Sequence, residues 1–238
     1  MSKCCIIIPC YNESSRLDIN TYKTFFLTQP NFDVYFIDDG STDNTLDILE
    51  QLKSPTVFTE KLTKNVGKAE AIRHIVLKLN QYDYLGYLDA DLSTSLDEMQ
   101  RLIEITKKEN KTFVLGSRIK LINSSIKRKA YRHLFGRLVA TFIDQIILKL
   151  EIYDTQCGAK VLKTDFAKTV FKEPFKSKWL FDVELLARAK TNYNLEFCKT
   201  KIAEVPLKKW HDTNDTRITL LDFLNTPFQL LKLYKYYG

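Results

Sequence analysis

Histidine is scarce in this chain. Among 238 residues only His74, His133 and His211 occur, which argues against a His-based zinc site. The five cysteines, Cys4, Cys5, Cys10, Cys157 and Cys198, are odd in number and form no Cys-x-x-Cys pair. That argues against a disulfide framework and for a reducing compartment. Cys4 and Cys5 lie inside an apolar run, where cysteine acts as a small hydrophobe. No apolar run reaches the about 20 residues that a membrane span needs. The longest apolar-rich stretch, 138–150, is broken by Asp144 and Lys149. The apolar stretch 4–8 is too short for a signal peptide and no cleavage pattern follows it, so a cytoplasmic protein is expected. The Gly-x-x-x-x-Gly-Lys-[Ser/Thr] phosphate loop is missing. Internal repeats, low-complexity tracts and Pro/Gly/Ser linkers are missing too, so residues 1–238 read as a single domain.

The apolar share is 45% and the charged share 27%, the balance of a globular protein, and the chain is long enough for one large α/β domain. The net charge of +7 suits nucleic acid, an anionic membrane face or a polyphosphate substrate. The basic side chains are not interleaved with aromatics in an RNA-binding pattern, so no nucleic-acid partner is expected.

Apolar runs and helical patterns alternate in the first half. Strands are expected at 4–8, 33–37, 56–59, 84–88 and 113–115, and helices at 14–26, 42–52, 67–79 and 95–109. This rhythm predicts a mostly parallel sheet with helices on both faces, and in such sheets ligands bind at the carboxyl ends of the strands. The second half predicts a basic amphipathic helix over 125–150, a loop entering a strand at 154–161, a helix at 181–193, a strand at 202–210 and a helix at 220–237.

Polar clusters fall at the predicted strand ends. Asp89-Ala90-Asp91 follows an apolar strand, and two carboxylates so placed suit Mg²⁺ or Mn²⁺ with a phosphate as the ion's other partner; a solvated turn is the simpler alternative. In Asp38-Asp39-Gly40-Ser41-Thr42-Asp43, a helix cap accounts for Ser41 or Thr42 but not for the doubled carboxylate, and an acceptor there suits a base N–H. Lys68, at a helix start after Gly67, suits either a phosphate or plain solvent. Arg118 at a strand end suits an anion. Asp154-Thr155-Gln156-Cys157-Gly158-Ala159-Lys160 gathers polar groups in one loop. Asp182 and Glu184 interrupt an apolar run, where a carboxylate marks either a site or a hydrogen-bond hub.

In this order, Ile8-Pro9-Cys10-Tyr11-Asn12-Glu13, Asp38 to Asp43, Asn65-x-Gly67-Lys68, Asp89-Ala90-Asp91 and Gly116-Ser117-Arg118 resemble family 2 of the inverting glycosyltransferases. The segments Asp154 to Lys160, Leu180 to Leu186 and Glu204-Val205-Pro206-Leu207 are similar to those of dolichyl-phosphate β-glucosyltransferases and related polyprenyl-phosphate sugar transferases. The resemblance spans nearly the whole chain. It implies a GT-A fold, with residues 1–118 binding the nucleotide sugar and residues 119–238 the acceptor.

The resemblance also implies roles. Pro9, Tyr11 and Glu13 would line the nucleoside pocket, Asp39 would bond the base, and Lys68 would lie near the nucleotide. Asp89 and Asp91 would hold Mg²⁺ or Mn²⁺ on the diphosphate, and Arg118 would face donor or acceptor phosphate. Asp154, Gln156, Asp182 and Glu184 would surround the sugar and the attacking group, with Asp91, Asp154, Asp182 and Glu184 as the catalytic set. The implied reaction moves a hexose, glucose from UDP-glucose, to a polyprenyl or dolichyl phosphate. A lipid phosphate arrives ionised and needs cations to hold it. A hydroxyl acceptor, on a glycan for example, would instead need Asp154, Asp182 or Glu184 as base. A nucleotide-sugar or membrane-binding module without catalysis is the alternative of another class. In this family context the 125–150 and 220–237 helices would rest on the cytoplasmic membrane face, with Lys127, Arg128, Arg132, Arg137 and Arg217 meeting headgroups or the acceptor phosphate. Thr216-Arg217 stands where relatives often carry Gly-Ser-Lys/Arg, without the glycine.

Overall fold

Alternation in the first strand decides the layering. In β1 (Cys4–Cys10), Cys4, Ile6, Ile8 and Cys10 pack on one side of the sheet, and Cys5 and Ile7 pack on the other. The computed structural model describes residues 2–28, 30–122, 124–127, 143–212 and 220–238. On the first side lie α1 (Ile19–Leu27), α2 (Thr45–Glu50) and α4 (Leu96–Lys108). On the second lie α3 (Lys68–Lys78), α5 (Thr164–Val170), α6 (Phe181–Tyr193), α7 (Leu195–Lys201) and α8 (Leu220–Tyr237). A sheet covered on both faces requires apolar side chains of both parities, which is why β1 reads as a continuous apolar run.

The other strands of the main sheet are β2 (Asp33–Asp38), β3 (Val57–Lys61), β4 (Tyr84–Leu88), β5 (Phe113–Ser117), β7 (Ala159–Lys163) and β8 (Ile202–Pro206), in the order β3-β2-β1-β4-β7-β5-β8. β7 alone runs antiparallel, paired with β4 on one side and β5 on the other. A second, two-stranded parallel sheet joins β6 (Ser125–Lys127) to β9 (Lys209–His211). The α/β architecture, mostly parallel with helices on both faces, is the one expected from the sequence.

Local differences from the expected elements have physical causes. α1 starts at Ile19 rather than residue 14, because Asp18 caps it by accepting from the Thr21 amide at 3.0 Å. Residues 11–18 are left to form a loop. The expected strand 202–210 is two strands. At Leu207 the chain leaves β8, and the Lys208 amide donates to Glu98 Oε2 at 3.2 Å before β9 begins. The expected 125–150 helix is corrected at both ends. Ser125–Lys127 is a strand, and Asp144–Leu148 is a π-helical turn ended by Lys149 in a left-handed conformation (φ 58°). Asp144 closes that turn by accepting from the amides of Leu150 and Glu151. The rest of that predicted helix lies outside the described residues. No helix among the described residues is long and apolar enough to cross a membrane.

One buried ion pair ties the second helical layer together. Glu184 is fully buried and Arg188, one turn on, is nearly so. Arg188 donates to Glu184 Oε1 at 2.7 Å and to the carbonyls of Val170, Glu173 and Pro174. Glu184 Oε2 accepts the amides of Lys176 and Ser177, and Oε1 also accepts from Tyr237 of α8. Arg188→Met would leave a buried carboxylate without its cation. It is expected to lower stability by about 3–5 kcal/mol, read as a shift in urea midpoint.

Candidate active site

The register of the sheet brings the predicted polar segments to one edge. Cys10 pairs with Asp38, Asp38 with Lys61, Leu88 with Ala159, and Ser117 with Pro206. The loops after β1, β2, β3, β4 and β5 therefore open on the same side. Because β7 is reversed, its entering loop, 154–158, opens there too.

The first two loops are fastened to each other. The Asn12 amide donates to Ser41 Oγ at 2.9 Å, and Asn12 Oδ1 accepts the Thr42 amide at 2.9 Å. The Glu13 amide donates to Thr45 Oγ1, and Ser14 donates to Asp43 through both its amide and its hydroxyl. Burial works against the charge of Asp43, but bonds from Thr45 and Ser14 hold its carboxyl down to about 2. A depressed carboxyl stabilises the fold above its ordinary range, and that contribution is lost as pH falls towards about 2. Pro9, next to last in β1, pairs with Ile37, and Tyr11 follows the strand, half-buried.

Asp39 accepts the amides of Val66 and Gly67, both at 2.8 Å, and so orders the loop before α3. Burial pushes its carboxyl up, and those two amide bonds partly hold it back. Gly40 (φ 70°) is required in this turn, because a Cβ would stand 2.5 Å from the Lys64 carbonyl carbon.

The acidic pair after β4 carries its own cations. Lys68, at the start of α3, pairs with Asp89 Oδ1 at 2.5 Å. Its ammonium also lies 5.5 Å from the centre of the Phe181 ring. Burial opposes the charge of Lys68, but Asp89 and then Asp182 outweigh it and raise its pKa. Asp91 accepts the Ser93 amide through Oδ1, and its Oδ2 lies 3.4 Å from Arg16 Nη2. Arg16 also reaches Glu13 at 3.5 Å.

Behind this pair sits a second charged group. Asp182, in the first turn of α6, accepts on Oδ1 from the Tyr87 hydroxyl and from Lys160 Nζ at 2.7 Å. At the far side, Arg118 holds Asp154 in a two-pronged pair at 2.7 Å, and its own amide adds a third bond. Burial disfavours the Arg118 charge, but Asp154 outweighs that and raises its pKa. The guanidinium lies 5.5 Å from the Trp210 ring.

The structure thus gathers Asp39, Lys68, Asp89, Asp91, Arg118, Asp154 and Asp182 along one edge. Glu184 is corrected: both its oxygens are used in the helical layer, so it is a hydrogen-bond hub rather than a group facing the sugar. Gln156 is exposed and, among the described residues, donates only a long bond to the Trp179 carbonyl, 3.4 Å. The Lys127 side chain, Arg128, Arg132, Arg137 and Arg217 lie outside the described residues. Arg16, Tyr87, Gly158 and Lys160 were not among the predicted site residues. Lys160 had a signal: it breaks an apolar strand at a position flanked by Ala159 and Val161.

The donor set fits a divalent cation. Among the described residues no three His, Cys, Asp or Glu side chains form a metal cage. Mg²⁺ characteristically takes one or two carboxylates together with substrate phosphates and water, so Asp89 and Asp91 suffice on the protein side. Gly158 keeps the space open: a Cβ there would lie 1.9 Å from Asp89 Oδ2.

A mostly parallel sheet, fastened loops over its first two strands and an acidic pair after β4 define a glycosyltransferase of the GT-A type. The chain belongs to glycosyl transferase family 2, whose pattern residues 5–171 match. It is 29% identical to a dolichyl-phosphate beta-glucosyltransferase of Dictyostelium discoideum, over 95% of this chain and 71% of that one. The enzyme of the same name from Trichomonas vaginalis is 26% identical over 97% of this chain and 70% of its own length. The Saccharomyces cerevisiae enzyme is 29% identical over 90% and 69%. Among solved structures, glucosyl-3-phosphoglycerate synthase from Mycobacterium tuberculosis in complex with Mn²⁺, UDP and glucosyl-3-phosphoglycerate superposes with a TM-score of 0.72 at 16% identity. The match covers 98% of this chain and 80% of that one. That likeness is one of fold. The expected family and fold are borne out.

Gly158→Ala separates site from fold. The clash falls on a movable carboxylate, so the melting temperature is expected to stay within a few degrees. Calorimetry with UDP and Mn²⁺ is expected to show binding weakened by about tenfold or more.

Proposed function

We propose that the enzyme transfers glucose from UDP-glucose to a polyprenyl phosphate such as dolichyl phosphate, with inversion, at a membrane surface. The observation that carries the acceptor class is the state of the carboxylates. Asp154 has both oxygens on Arg118, and Asp182 has Oδ1 on Lys160 and Tyr87. Glu184 is spent in the helical layer. A proton taken up by Asp154 or Asp182 would weaken an ion pair, which disfavours either as a general base. A phosphate acceptor needs none, because it arrives ionised. The relatives that match over most of this chain are named for that acceptor.

In this reading the loops after β1 and β2 receive the nucleoside, with Pro9, Tyr11 and Glu13 as its wall and Asp39 at the base. Asp89 and Asp91 hold the divalent cation. When bound, Mg²⁺ or Mn²⁺ supplies neutralisation of the charge that grows on the departing diphosphate. Lys68 stands beside the same oxygens and adds a fixed cation. An acceptor phosphate oxygen attacks the anomeric carbon as the bond from that carbon to the UDP β-phosphate oxygen breaks. The electron pair leaves with UDP, and no proton moves. Asp182, with Oδ2 still available, stabilises positive charge on the sugar. Arg118 borders the acceptor side, where exchange of part of its contact with Asp154 for a phosphate keeps it paired.

The outer face of α8 supports membrane contact. Phe228, Leu231, Tyr234 and Tyr236 are exposed there, interleaved with Lys232 and Lys235. An exposed apolar and aromatic face carrying lysines suits an anionic lipid interface.

Purified protein given UDP-[¹⁴C]glucose, dolichyl phosphate and Mn²⁺ or Mg²⁺ is expected to move label into the organic phase, and excess EDTA is expected to abolish it. Asp91→Asn should lower the rate at least roughly a hundredfold, beyond what loss of a metal's outer-shell partner costs. Label that stays aqueous with every donor would contradict the proposal. In flotation with anionic vesicles, Phe228→Ser/Leu231→Ser is expected to reduce the bound fraction.

A further inference from the structure

Lys160 is completely buried near the middle of the sheet, on the antiparallel strand β7. A lysine there is costly, because taking an ammonium out of water has to be offset by close partners. Its partners are all at hand. Nζ donates to the Cys157 carbonyl and to Asp182 Oδ1, both at 2.7 Å, and it lies 5.3 Å from the centre of the Tyr87 ring. The Tyr87 hydroxyl donates to the same Asp182 oxygen. Two donors from two different strands therefore converge on Oδ1. Oδ2 accepts no hydrogen bond among the described residues, and the side chain is 7% exposed. The carboxylate is gripped by one oxygen and presented by the other.

A purely structural need would be met more cheaply. An apolar side chain in β7 would carry no desolvation cost, and replacing a buried ion pair with apolar groups is often neutral or stabilising. The arrangement instead fixes one carboxylate in direction beside the Lys68–Asp89 pair. We propose that Lys160 is a positioning residue. With Tyr87 it holds the Asp182 carboxyl group in place and turns Oδ2 towards the sugar of the donor, and so acts on the rate of transfer through Asp182 alone. This rests on the reading of the cleft as a sugar-transfer site.

The test uses the full chain, UDP-glucose and dolichyl phosphate, with wild type, Lys160→Met, Asp182→Asn, the double variant and Tyr87→Phe. Lys160→Met is expected to lower kcat by about a hundredfold, the scale of a misplaced reacting group. KM for UDP-glucose and calorimetric binding of UDP should change less than about threefold, since Lys160 touches neither. The double variant should be no slower than Asp182→Asn alone, within about twofold. Tyr87→Phe removes the second donor, keeps the packing, and is expected to lower kcat by about three- to tenfold with KM unchanged. It carries the test if Lys160→Met fails to fold. Lys160→Met or Tyr87→Phe with wild-type kcat, losses that multiply in the double variant, or UDP binding that falls in step with kcat would each overturn the proposal. A wild-type enzyme that transfers no glucose, or an unimpaired Asp182→Asn, would instead overturn the reading beneath it, and the proposal with it.

Discussion

The placement of β7 between β4 and β5, antiparallel to both, is the constraint on which the cleft depends. In an all-parallel sheet, the residues entering a strand lie at the edge remote from ligands. Reversal brings the loop before β7 to the carboxyl edge instead, level with Asp89, whose amide donates to the Gly158 carbonyl. The same register sets Lys160 opposite Tyr87, so that both side chains meet Asp182. Gly158 follows from this closeness, since any Cβ would displace the Asp89 carboxylate. One pairing thus positions the acidic pair, the buried lysine and Asp154.

Four carboxylates of the cleft each face a cation. Asp89 has Lys68, Asp91 has Arg16, Asp182 has Lys160 and Asp154 has Arg118. Such a site is preorganised, because its charges are compensated before any ligand arrives. A diphosphate with its divalent cation adds both signs at once, and the cations now on Asp89 and Asp91 have phosphate oxygens to turn to. The same balance limits the chemistry. Carboxylates committed to cations serve to bind and to stabilise charge, not to shuttle protons, which favours an acceptor that is already an anion.

The first half of the molecule was legible because its rules are local. The continuous apolar run of β1, the Ser95 cap of α4 and the helix from Lys68 fall close to where periodicity places them. The polar segments at strand ends were legible for the same reason. The reversal of β7 was not, because strand direction depends on the partners that β4 and β5 provide. Glu184 and Asp182 read alike in sequence, two residues apart in an apolar run. Only the helix geometry turns one towards Arg188 and the other towards Lys160. Arg16 was missed because it meets Asp91 across 75 positions of sequence. The split of 202–210 into β8 and β9 depends on Glu98, an acceptor on another element.

In the proposed reaction the acceptor phosphate attacks the sugar directly, without a covalent intermediate on a protein carboxylate. The direct measurement is the anomeric configuration of the lipid-linked glucose, read from the C1 proton coupling of the product formed from UDP-α-glucose. A single displacement predicts the β-linked glucosyl phosphate. An α-linked product, which requires two displacements or front-side attack, would contradict it.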